Sequence, residues 1–244
     1  MPEGPSLILV KEALDQFRGK KVLEASGHAG IDMELFAGKK LLGIETFGKH
    51  LLLLFPKFTI SIHFLLFGWY SIDKKNRVAK AIKLKLEFAD HKLYFYTCKV
   101  ELFEKSFDKQ YDLSADIMND KWSNAKAVKK MNALPKTFIC DALMSQDIFA
   151  GVGNIIKNEV LYNTKTHPES IIEKIPKAKL LAIAKESRRY SFDFLKWRID
   201  DELTKHWLAY NRKICSRCNI PIIKKETGKT KRSSFFCENC QILY

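Results

Sequence analysis

Residues 146–154 have the sequence QDIFAGVGN, and this stretch decides how the second half of the chain is built. Gly151 and Gly153 stand two positions apart, a spacing typical of a tight turn, and Asn154 follows them directly. Helical patterns lie on both sides of the stretch. We therefore predict two helices joined by a glycine-rich turn, within a helical domain that covers residues 121–210.

Outward from this turn, the spacing of apolar residues predicts the neighbouring helices. Ser123 is a candidate N-terminal cap, residues 135–146 form the helix before the turn, and a long helix runs from Pro176 to about Leu203. A polar segment over residues 105–120 is expected to link this domain to the first half of the chain.

The first half of the chain is predicted to be a β-sandwich or barrel with a leading helix, over residues 1–110. Gly4-Pro5-Ser6, followed by apolar residues at helical spacing as far as Phe17, indicates an N-capped amphipathic helix. From Val22 to Tyr96 come short β-rich runs, namely LLGIETF, HLLLLF, TISIHF, IKLKLEF and KLYFY. The fold class is therefore α+β with more than one domain.

The charge of the chain points to a polyanionic partner. Its 244 residues include 42 Lys and Arg against 28 Asp and Glu, a net charge of +14. Nucleic acid is the first choice of partner and an anionic membrane surface the second. No apolar run reaches the roughly 18 residues of a membrane span, and the N-terminus lacks the plan of a signal peptide. We expect a soluble intracellular protein, cytoplasmic or associated with the nucleoid.

Four of the six cysteines form two Cys-x-x-Cys pairs near the C-terminus, whereas Cys98 and Cys140 lie apart and are expected to be buried thiols. Eighteen residues separate the two pairs, a spacing typical of a tetrahedral four-cysteine zinc site. The predicted ligands are Cys215, Cys218, Cys237 and Cys240. Because sulfur fills all four positions, the Zn²⁺ is expected to be structural. Disulfides are the alternative, which a reducing compartment disfavours.

These cysteines belong to a small basic module over residues 211–244, which holds eight Lys and Arg against two Glu. The segments PIIKK and SSFF between the pairs suit a β-hairpin. Arg232 lies on that hairpin, where its cation could be held toward a phosphate. On its own it would be one of many surface arginines.

The chain begins Met1-Pro2-Glu3, which can supply an amine nucleophile. Removal of Met1 exposes the secondary amine of Pro2, whose pKa should resemble the α-amino value of about 7.7–8. A neutral amine can attack a sugar C1′ to form an iminium, and the Glu3 carboxylate is placed to transfer protons. Proline at position 2 also occurs in proteins without such chemistry.

Five motifs, in order along the chain, together resemble the formamidopyrimidine-DNA glycosylase/endonuclease VIII family. They are PEGP at the start, FGKHLLLLF with Lys49 on a strand, QDIFAGVGN, THPES, and the terminal four-cysteine finger with Arg232. The resemblance covers nearly the whole chain. It implies an N-terminal β-sandwich, a C-terminal helix-two-turn-helix domain and a zinc finger, with DNA bound in the cleft between the domains. It also implies removal of a damaged base and strand cleavage by β,δ-elimination.

The same resemblance implies a role for each matching residue. Pro2 resembles the Schiff-base nucleophile and Glu3 the general acid/base. Lys49 resembles a strand lysine that contacts phosphate and assists elimination. Asn154 resembles the turn asparagine that holds backbone phosphates, and Arg232 the finger arginine that grips phosphates beside the lesion. Lys49 and Arg232 are therefore expected both to take part in catalysis and to bind DNA.

Four further residues are expected to contact DNA. His63 is a strand histidine, and after it Leu65, Leu66 and Phe67 stand where the family places side chains that fill the gap left by an extruded nucleotide. The filler here is apolar. The stretch IHFLLF also fits a plain buried strand, which is the alternative interpretation of these three residues.

The chain also departs from the family pattern. Ser6 stands where many members have a glutamate, so help from a second carboxylate is absent or comes from elsewhere. TCKVELFE lacks the Arg-Arg-Phe group usual in the formamidopyrimidine branch. About a dozen residues separate Trp197 from Tyr210, so the long loop that covers an oxidised purine looks truncated. The last two departures favour an endonuclease VIII-like enzyme.

We therefore expect a monomeric, endonuclease VIII-like DNA glycosylase/AP lyase that binds damaged DNA and prefers oxidised pyrimidines. It would carry one structural Zn²⁺ and no redox cofactor, and it would not bind membranes. A noncatalytic zinc-ribbon DNA-binding protein is the alternative, which would leave Pro2 and Glu3 without a role. RNA binding through the sandwich is a third interpretation, but the sequence lacks a recognisable aromatic RNA-binding motif.

Overall fold

The computed structural model describes residues 2–104 and 107–244, and the chain divides into two compact units, Met1–Tyr111 and Asp112–Tyr244. The boundary between the units falls inside the segment predicted to be a linker, of which residues 105 and 106 lie outside the described residues. Met1, whose removal the sequence suggested, lies outside them as well.

The first unit opens with helix α1 (Gly4–Leu14), which has Glu3 at its N-cap position. Pro5 fits the first turn because the first N–H groups of a helix have no intrahelical partner. Leu7 and Leu14 are fully buried, and they anchor the helix in the core of the unit.

Within the described part of this unit, eight strands follow, all paired antiparallel. They are β1 (Glu24–Ser26), β2 (Gly43–Phe47), β3 (His50–Leu54), β4 (Thr59–His63), β5 (Trp69–Ile72), β6 (Ile82–Glu87), β7 (Lys92–Tyr96) and β8 (Lys99–Phe103). One sheet has the order β1-β6-β7-β5 and the other β2-β3-β4-β8, so the unit is the expected β-sandwich. A short helix, α2 (Phe107–Gln110), ends it.

The alternation read from the sequence is present in β6, where Leu84 and Leu86 are fully buried. Strands β1, β5 and β8 lie outside the predicted runs. They are three to five residues long, and β1 and β5 are too short to show a period of two, although Lys99 and Glu101 of β8 do alternate with apolar residues. Cys98 is buried as predicted, and burial raises the pKa of its thiol to about 12.

The second unit contains four helices and one hairpin. They are α3 (Asn124–Asn132), α4 (Ile139–Met144), α5 (Asn154–Asn163), α6 (Lys177–Ile199), β9 (Ile223–Thr227) and β10 (Arg232–Phe236). The Oγ of Ser123 accepts the Lys126 N–H at 3.3 Å, which confirms the predicted cap of α3. Helix α4 is shorter than predicted because Phe138 is extended and bridges to Ile171, so the helix starts only at Ile139.

Helices α3 to α6 share one apolar core, which includes the fully buried Ile139, Ile156 and Ile183. Cys140 lies in this core as predicted, and burial is the main reason that the pKa of its thiol is raised. Among the described residues, no helix combines the length and the apolar character needed to cross a bilayer.

Candidate nucleic-acid interface

Pro2 and Glu3 lie at the N-terminus of α1. Glu3 is 2% exposed and Pro2 is half-buried. The Glu3 carbonyl accepts the Ser6 N–H at 2.9 Å, which fixes the residue at the positive end of the helix dipole. A buried acidic residue therefore follows the candidate nucleophile directly in the chain.

Lys49 lies in a turn, and its predicted place on a strand is wrong. The two residues Gly48 and Lys49 join β2 to β3, and Phe47 pairs with His50 across them. Gly48 has φ +53, which side chains disfavour and two-residue hairpins commonly need. Lys49 is only 7% exposed, and α1 packs against both strands that the turn joins.

Two histidines lie beside this hairpin. His50 of β3 pairs with His63 of β4, with ring centroids 5.0 Å apart, and the His50 Nδ1 is 2.9 Å from the Ser61 Oγ. Burial is the largest cause that lowers the pKa of His50 to about 4, and the charge of His63 is the next. Burial, followed by the charge of Lys49, also lowers the pKa of His63. Both imidazoles are thus neutral at neutral pH.

Leu65, Leu66 and Phe67 are exposed by 45%, 51% and 73%. Strand β4 ends at His63, so the alternative that these residues form a buried strand is wrong. Three adjacent apolar side chains that face water require an explanation, because single exposed apolar residues are ordinary and groups of them are not.

Hydrogen bonds hold both ends of the loop that carries these side chains. The His63 Nδ1 accepts the Leu65 N–H at 3.1 Å, and the Arg77 Nη1 donates to the Phe67 carbonyl at 2.7 Å. Leu65 has φ +53, a strained value for a residue with a branched side chain. The sequence had not indicated Arg77, since its contact is with a main-chain atom ten positions away.

The second unit brings Asn154 and Arg232 together, although 78 positions separate them in the sequence. Asn154 is the first residue of α5, after Gly153 at the N-cap and Gly151 with φ +100. Its Nδ2 donates at 3.0 Å to the carbonyl of Ser233, the residue after Arg232. The Asn154 side chain is therefore bonded to the residue that follows Arg232, and its amide carries a second N–H.

Arg232 begins β10 and is half-buried. Within residues 2–104 and 107–244, its guanidinium makes no hydrogen bond or ion pair. Five donors on this one side chain can therefore be offered to a phosphate.

The four predicted zinc ligands converge. The Sγ atoms of Cys215, Cys218, Cys237 and Cys240 all lie within 4.8 Å of one another. A tetrahedral Zn²⁺ with Zn–S bonds of about 2.3 Å requires S···S separations of about 3.8 Å. The Cys215 and Cys240 sulfurs are 3.8 Å apart, so this donor set fits the metal.

Helix α5 also reaches the cysteine cluster. The Tyr162 hydroxyl is 3.3 Å from the Cys215 Sγ and 3.1 Å from the Ser216 Oγ. The Arg217 guanidinium lies 3.7 Å from the centre of the Tyr162 ring and donates to the Tyr162 carbonyl at 2.9 Å. One helix therefore supports the candidate phosphate contact at its start and the candidate metal site near its end.

A carboxylate that the sequence had not indicated fixes the connection between α6 and the finger. Glu159 is fully buried and accepts the backbone N–H groups of Leu208, Ala209 and Tyr210 at 2.7–3.0 Å. Burial raises the pKa of Glu159, and the three donors oppose that rise. Nothing in the local sequence distinguishes this glutamate from a solvated helical one.

The THPES motif, residues 166–170, holds the C-terminal residues of the chain. The Thr166 carbonyl accepts from the Gln241 Nε2 at 2.9 Å, and the Ser170 Oγ donates to the Ile242 carbonyl at 3.2 Å. Thr166 and Ser170 are fully buried. The motif thus has a structural role in joining the finger to the helices.

The sequence of this chain is similar to those of known proteins. Residues 113–190 match the family model described as the formamidopyrimidine-DNA glycosylase H2TH domain. Endonuclease 8-like 3 of Mus musculus is 29% identical over 98% of this chain, which spans about two fifths of the length of that relative. Formamidopyrimidine-DNA glycosylase of Lactobacillus acidophilus is 27% identical, and the match covers both proteins completely.

Solved structures share the fold. Lactococcus lactis formamidopyrimidine-DNA glycosylase bound to DNA with an AP site has a TM-score of 0.86 at 22% identity, over 98% of this chain and 99% of that one. A viral DNA glycosylase has a TM-score of 0.85 at 18% identity, over 98% and 100%.

The sandwich, the H2TH helices and the cysteine cluster define a protein with the DNA-glycosylase fold of this class. Residues 113–190 form an H2TH domain of the formamidopyrimidine-DNA glycosylase type, and the chain is similar over nearly its whole length to endonuclease 8-like proteins and formamidopyrimidine-DNA glycosylases.

Proposed function

We propose that this chain is a DNA glycosylase/AP lyase that removes oxidised bases, with a preference for pyrimidines. The observation that carries the proposal is the burial of the Glu3 carboxylate directly beside Pro2. A buried acid next to a secondary amine can exchange protons with a sugar while the amine attacks it. The H2TH domain and the similarity to endonuclease 8-like proteins support the same class of reaction.

In the proposed reaction, the Pro2 nitrogen forms a bond to C1′ and the N-glycosidic bond breaks, so that the base leaves with a proton. Opening of the sugar ring, with proton transfer through Glu3, yields an iminium between Pro2 and C1′. Loss of the 2′ proton then expels the 3′ phosphate, and loss of the 4′ proton expels the 5′ phosphate. Hydrolysis finally releases the sugar fragment and restores the amine.

The basic residues are proposed to hold the DNA backbone. Lys49 is a cation on the turn between the strands that contact α1, and its role is phosphate contact and assistance to elimination. Asn154 and Arg232 offer neighbouring donors, and the Gly151 and Gly153 turn lets main-chain N–H groups approach the same oxygens. His63 would act as a neutral DNA-contacting group that also holds the Leu65 N–H.

The cysteine cluster is proposed to bind one structural Zn²⁺. The four thiolates would fill the coordination sphere, so the metal would supply folding energy to the finger and leave no position for substrate. We further propose that the protein acts as a monomer on damaged DNA.

Covalent trapping tests the proposal. The chain with a free Pro2 terminus, verified by mass spectrometry, is mixed with abasic DNA and borohydride, which reduces an iminium to a stable adduct. We expect an adduct with this form, and little or none with Pro2→Gly or with retained Met1. Pro56→Gly, in the turn after β3, is the matched control and should form the adduct normally.

Two results would contradict the assignment. Normal cleavage of abasic DNA by the form that retains Met1 would remove Pro2 from the mechanism. Tight binding of abasic DNA without any trapped adduct would favour the noncatalytic zinc-ribbon protein instead.

A further inference from the structure

Lys157 of α5 is a lysine that neither its sequence pattern nor the proposed chemistry explains. It is 1% exposed, whereas lysine side chains are almost never fully buried unless they are paired. It shares one face of α5 with Asn154 and Asn158, because residues three and four positions apart are neighbours on a helix. The contacts of this face therefore indicate what the lysine does.

All three side chains donate to a single main-chain oxygen. The Ser233 carbonyl accepts from the Asn154 Nδ2 at 3.0 Å, from the Lys157 Nζ at 3.3 Å and from the Asn158 Nδ2 at 3.3 Å. The Lys157 Nζ also donates to the Ser234 Oγ at 2.9 Å. Lys157 therefore contacts both Ser233 and Ser234, and hydrogen bonds from a charged donor are generally stronger than those between neutral groups.

The other side of Arg232 is anchored as well. The Asp141 carboxylate of α4 accepts the Lys229 N–H, with both oxygens 3.0 Å from the nitrogen. Gly228 has φ +70, and a Cβ there would collide with that carboxylate, so the hairpin turn lies directly on α4. Arg232 thus stands between one anchor in the turn and another at the next residue of β10.

We propose that Lys157 is a positioning residue for Arg232. Its buried ammonium holds the Ser233 carbonyl on α5, which fixes the start of β10 so that the Arg232 guanidinium and the free Asn154 N–H address the same stretch of phosphodiester backbone. The inference rests on the proposed function, because it assumes that Arg232 contacts phosphate. It adds that the strength of this contact depends on a lysine that DNA does not touch.

A double-mutant cycle on DNA binding tests the dependence. Lys157→Met, Arg232→Ala and the double variant are titrated with DNA that contains a stable abasic-site analogue, at several salt concentrations. If Lys157 acts through Arg232, each single variant should weaken binding and lower the salt slope by about one, the value for one lost phosphate contact. The double variant should be no weaker than Arg232→Ala alone, because residues that act as one unit are not additive.

Lys185→Met is the matched control, since it removes the same charge from an exposed position on α6. It should leave the salt slope near the wild-type value. Additive losses in the double variant, or an unchanged salt slope for Lys157→Met, would overturn the proposal, because a lysine that serves only stability has no reason to act through Arg232.

If Lys157→Met does not fold, Ser234→Ala tests whether Lys157 acts through Arg232. This variant removes one acceptor of the Lys157 ammonium and keeps the charge. The proposal is supported if Ser234→Ala loses less DNA affinity than Arg232→Ala and causes no further loss when Arg232 is already alanine. It is overturned if the loss from Ser234→Ala adds to the loss from Arg232→Ala. Absence of DNA binding by the wild type would instead refute the proposed function, and with it this inference. Normal wild-type binding with additive losses refutes the inference alone.

Discussion

At the scale of single residues, the His50 and His63 pair makes the stability of the sandwich depend on pH. The pKa of His50 is about 4 in the folded protein, against 6.5 for the free side chain. A folded-state value below the unfolded one means that the unfolded chain binds the proton first as the pH falls. Stability is therefore fully present above pH 6.5 and is lost progressively between pH 6.5 and about 4.

We predict that this effect amounts to about 3 kcal/mol at most, from the difference between the two pKa values. The measurement is urea unfolding at pH 7 and pH 4.5, for the wild type and for His50→Gln. The variant should lose less stability on acidification than the wild type. His28→Gln, at an exposed position, is the control and should behave like the wild type. Equal acid sensitivity of the wild type and His50→Gln would contradict the prediction.

Among the secondary-structure elements, helix α5 joins the zinc finger to the candidate phosphate site. Loss of the metal should therefore disturb both the finger and the phosphate site. The Cys237 N–H donates to the Gln241 Oε1, and Gln241 in turn donates to the Thr166 carbonyl after α5. Metal binding supplies much of the folding energy of such a module.

We predict that Cys237→Ser loses zinc and DNA affinity together. Zinc content is measured by mass spectrometry of the native protein, and affinity by fluorescence anisotropy. Cys98→Ala removes a buried thiol outside the cluster, so it should retain one zinc per chain and bind DNA normally if it remains folded. A Cys237→Ser protein that keeps its affinity while losing zinc would separate the finger from DNA binding.

The loop of Leu65, Leu66 and Phe67 is the second element with a testable role. An apolar side chain that fills the gap left by an extruded nucleotide offsets part of the cost of unstacking, which is a few kcal/mol. We predict that Phe67→Ala slows base removal from duplex DNA by at least about tenfold, a loss of roughly 1.4 kcal/mol. On single-stranded DNA the variant should act at nearly the wild-type rate, because no opposite strand leaves a gap.

Leu243→Ala is the control for this loop, since it also truncates a highly exposed apolar side chain. It should leave both rates unchanged. An equal slowing of Phe67→Ala on duplex and single-stranded DNA would show that the loop serves another step.

At the scale of the whole molecule, the sequence predicted those features that depend on local spacing. The spacing of the two Cys-x-x-Cys pairs predicted a four-sulfur cluster, and the glycine turn before Asn154 predicted the start of a helix; both are present. The sandwich followed from short β-rich runs, although the strands β1, β5 and β8 were missed. Strands β1 and β5 have only three and four residues, too few to show a period, whereas the alternation of β8 is visible in the sequence.

Contacts between distant segments could not be predicted in this way. Lys157 and Glu159 look like solvated residues of a helix, because the chain that buries them comes about 50 to 77 positions later. Lys49 was placed on a strand because it stands directly before the run HLLLLF, although neither that run nor LLGIETF includes it. The pairing of Phe47 with His50 shows that Gly48 and Lys49 form the turn between the two runs.

We predict that the choice of lesion depends on the chain after α6. This helix ends at Ile199, the short helical turn Leu203–His206 follows, and Glu159 then holds the backbone of residues 208–210. The Arg212 side chain also donates to the Trp207 carbonyl at 2.7 Å. So short and tightly held a connection has little reach to cover the large face of an extruded oxidised purine.

A pyrimidine lesion such as thymine glycol is smaller, nonplanar and poorly stacked, so its extrusion should cost less. We predict that oxidised pyrimidines are excised at least about tenfold faster than 8-oxoguanine opposite cytosine, a difference of roughly 1.4 kcal/mol in transition-state stabilisation. Dependence on the opposite base should be modest, because the apolar loop offers no hydrogen bonds to distinguish partners. Single-turnover rates on matched duplexes measure both effects. Equal or faster release of 8-oxoguanine would show that the short connection does not limit the choice of lesion.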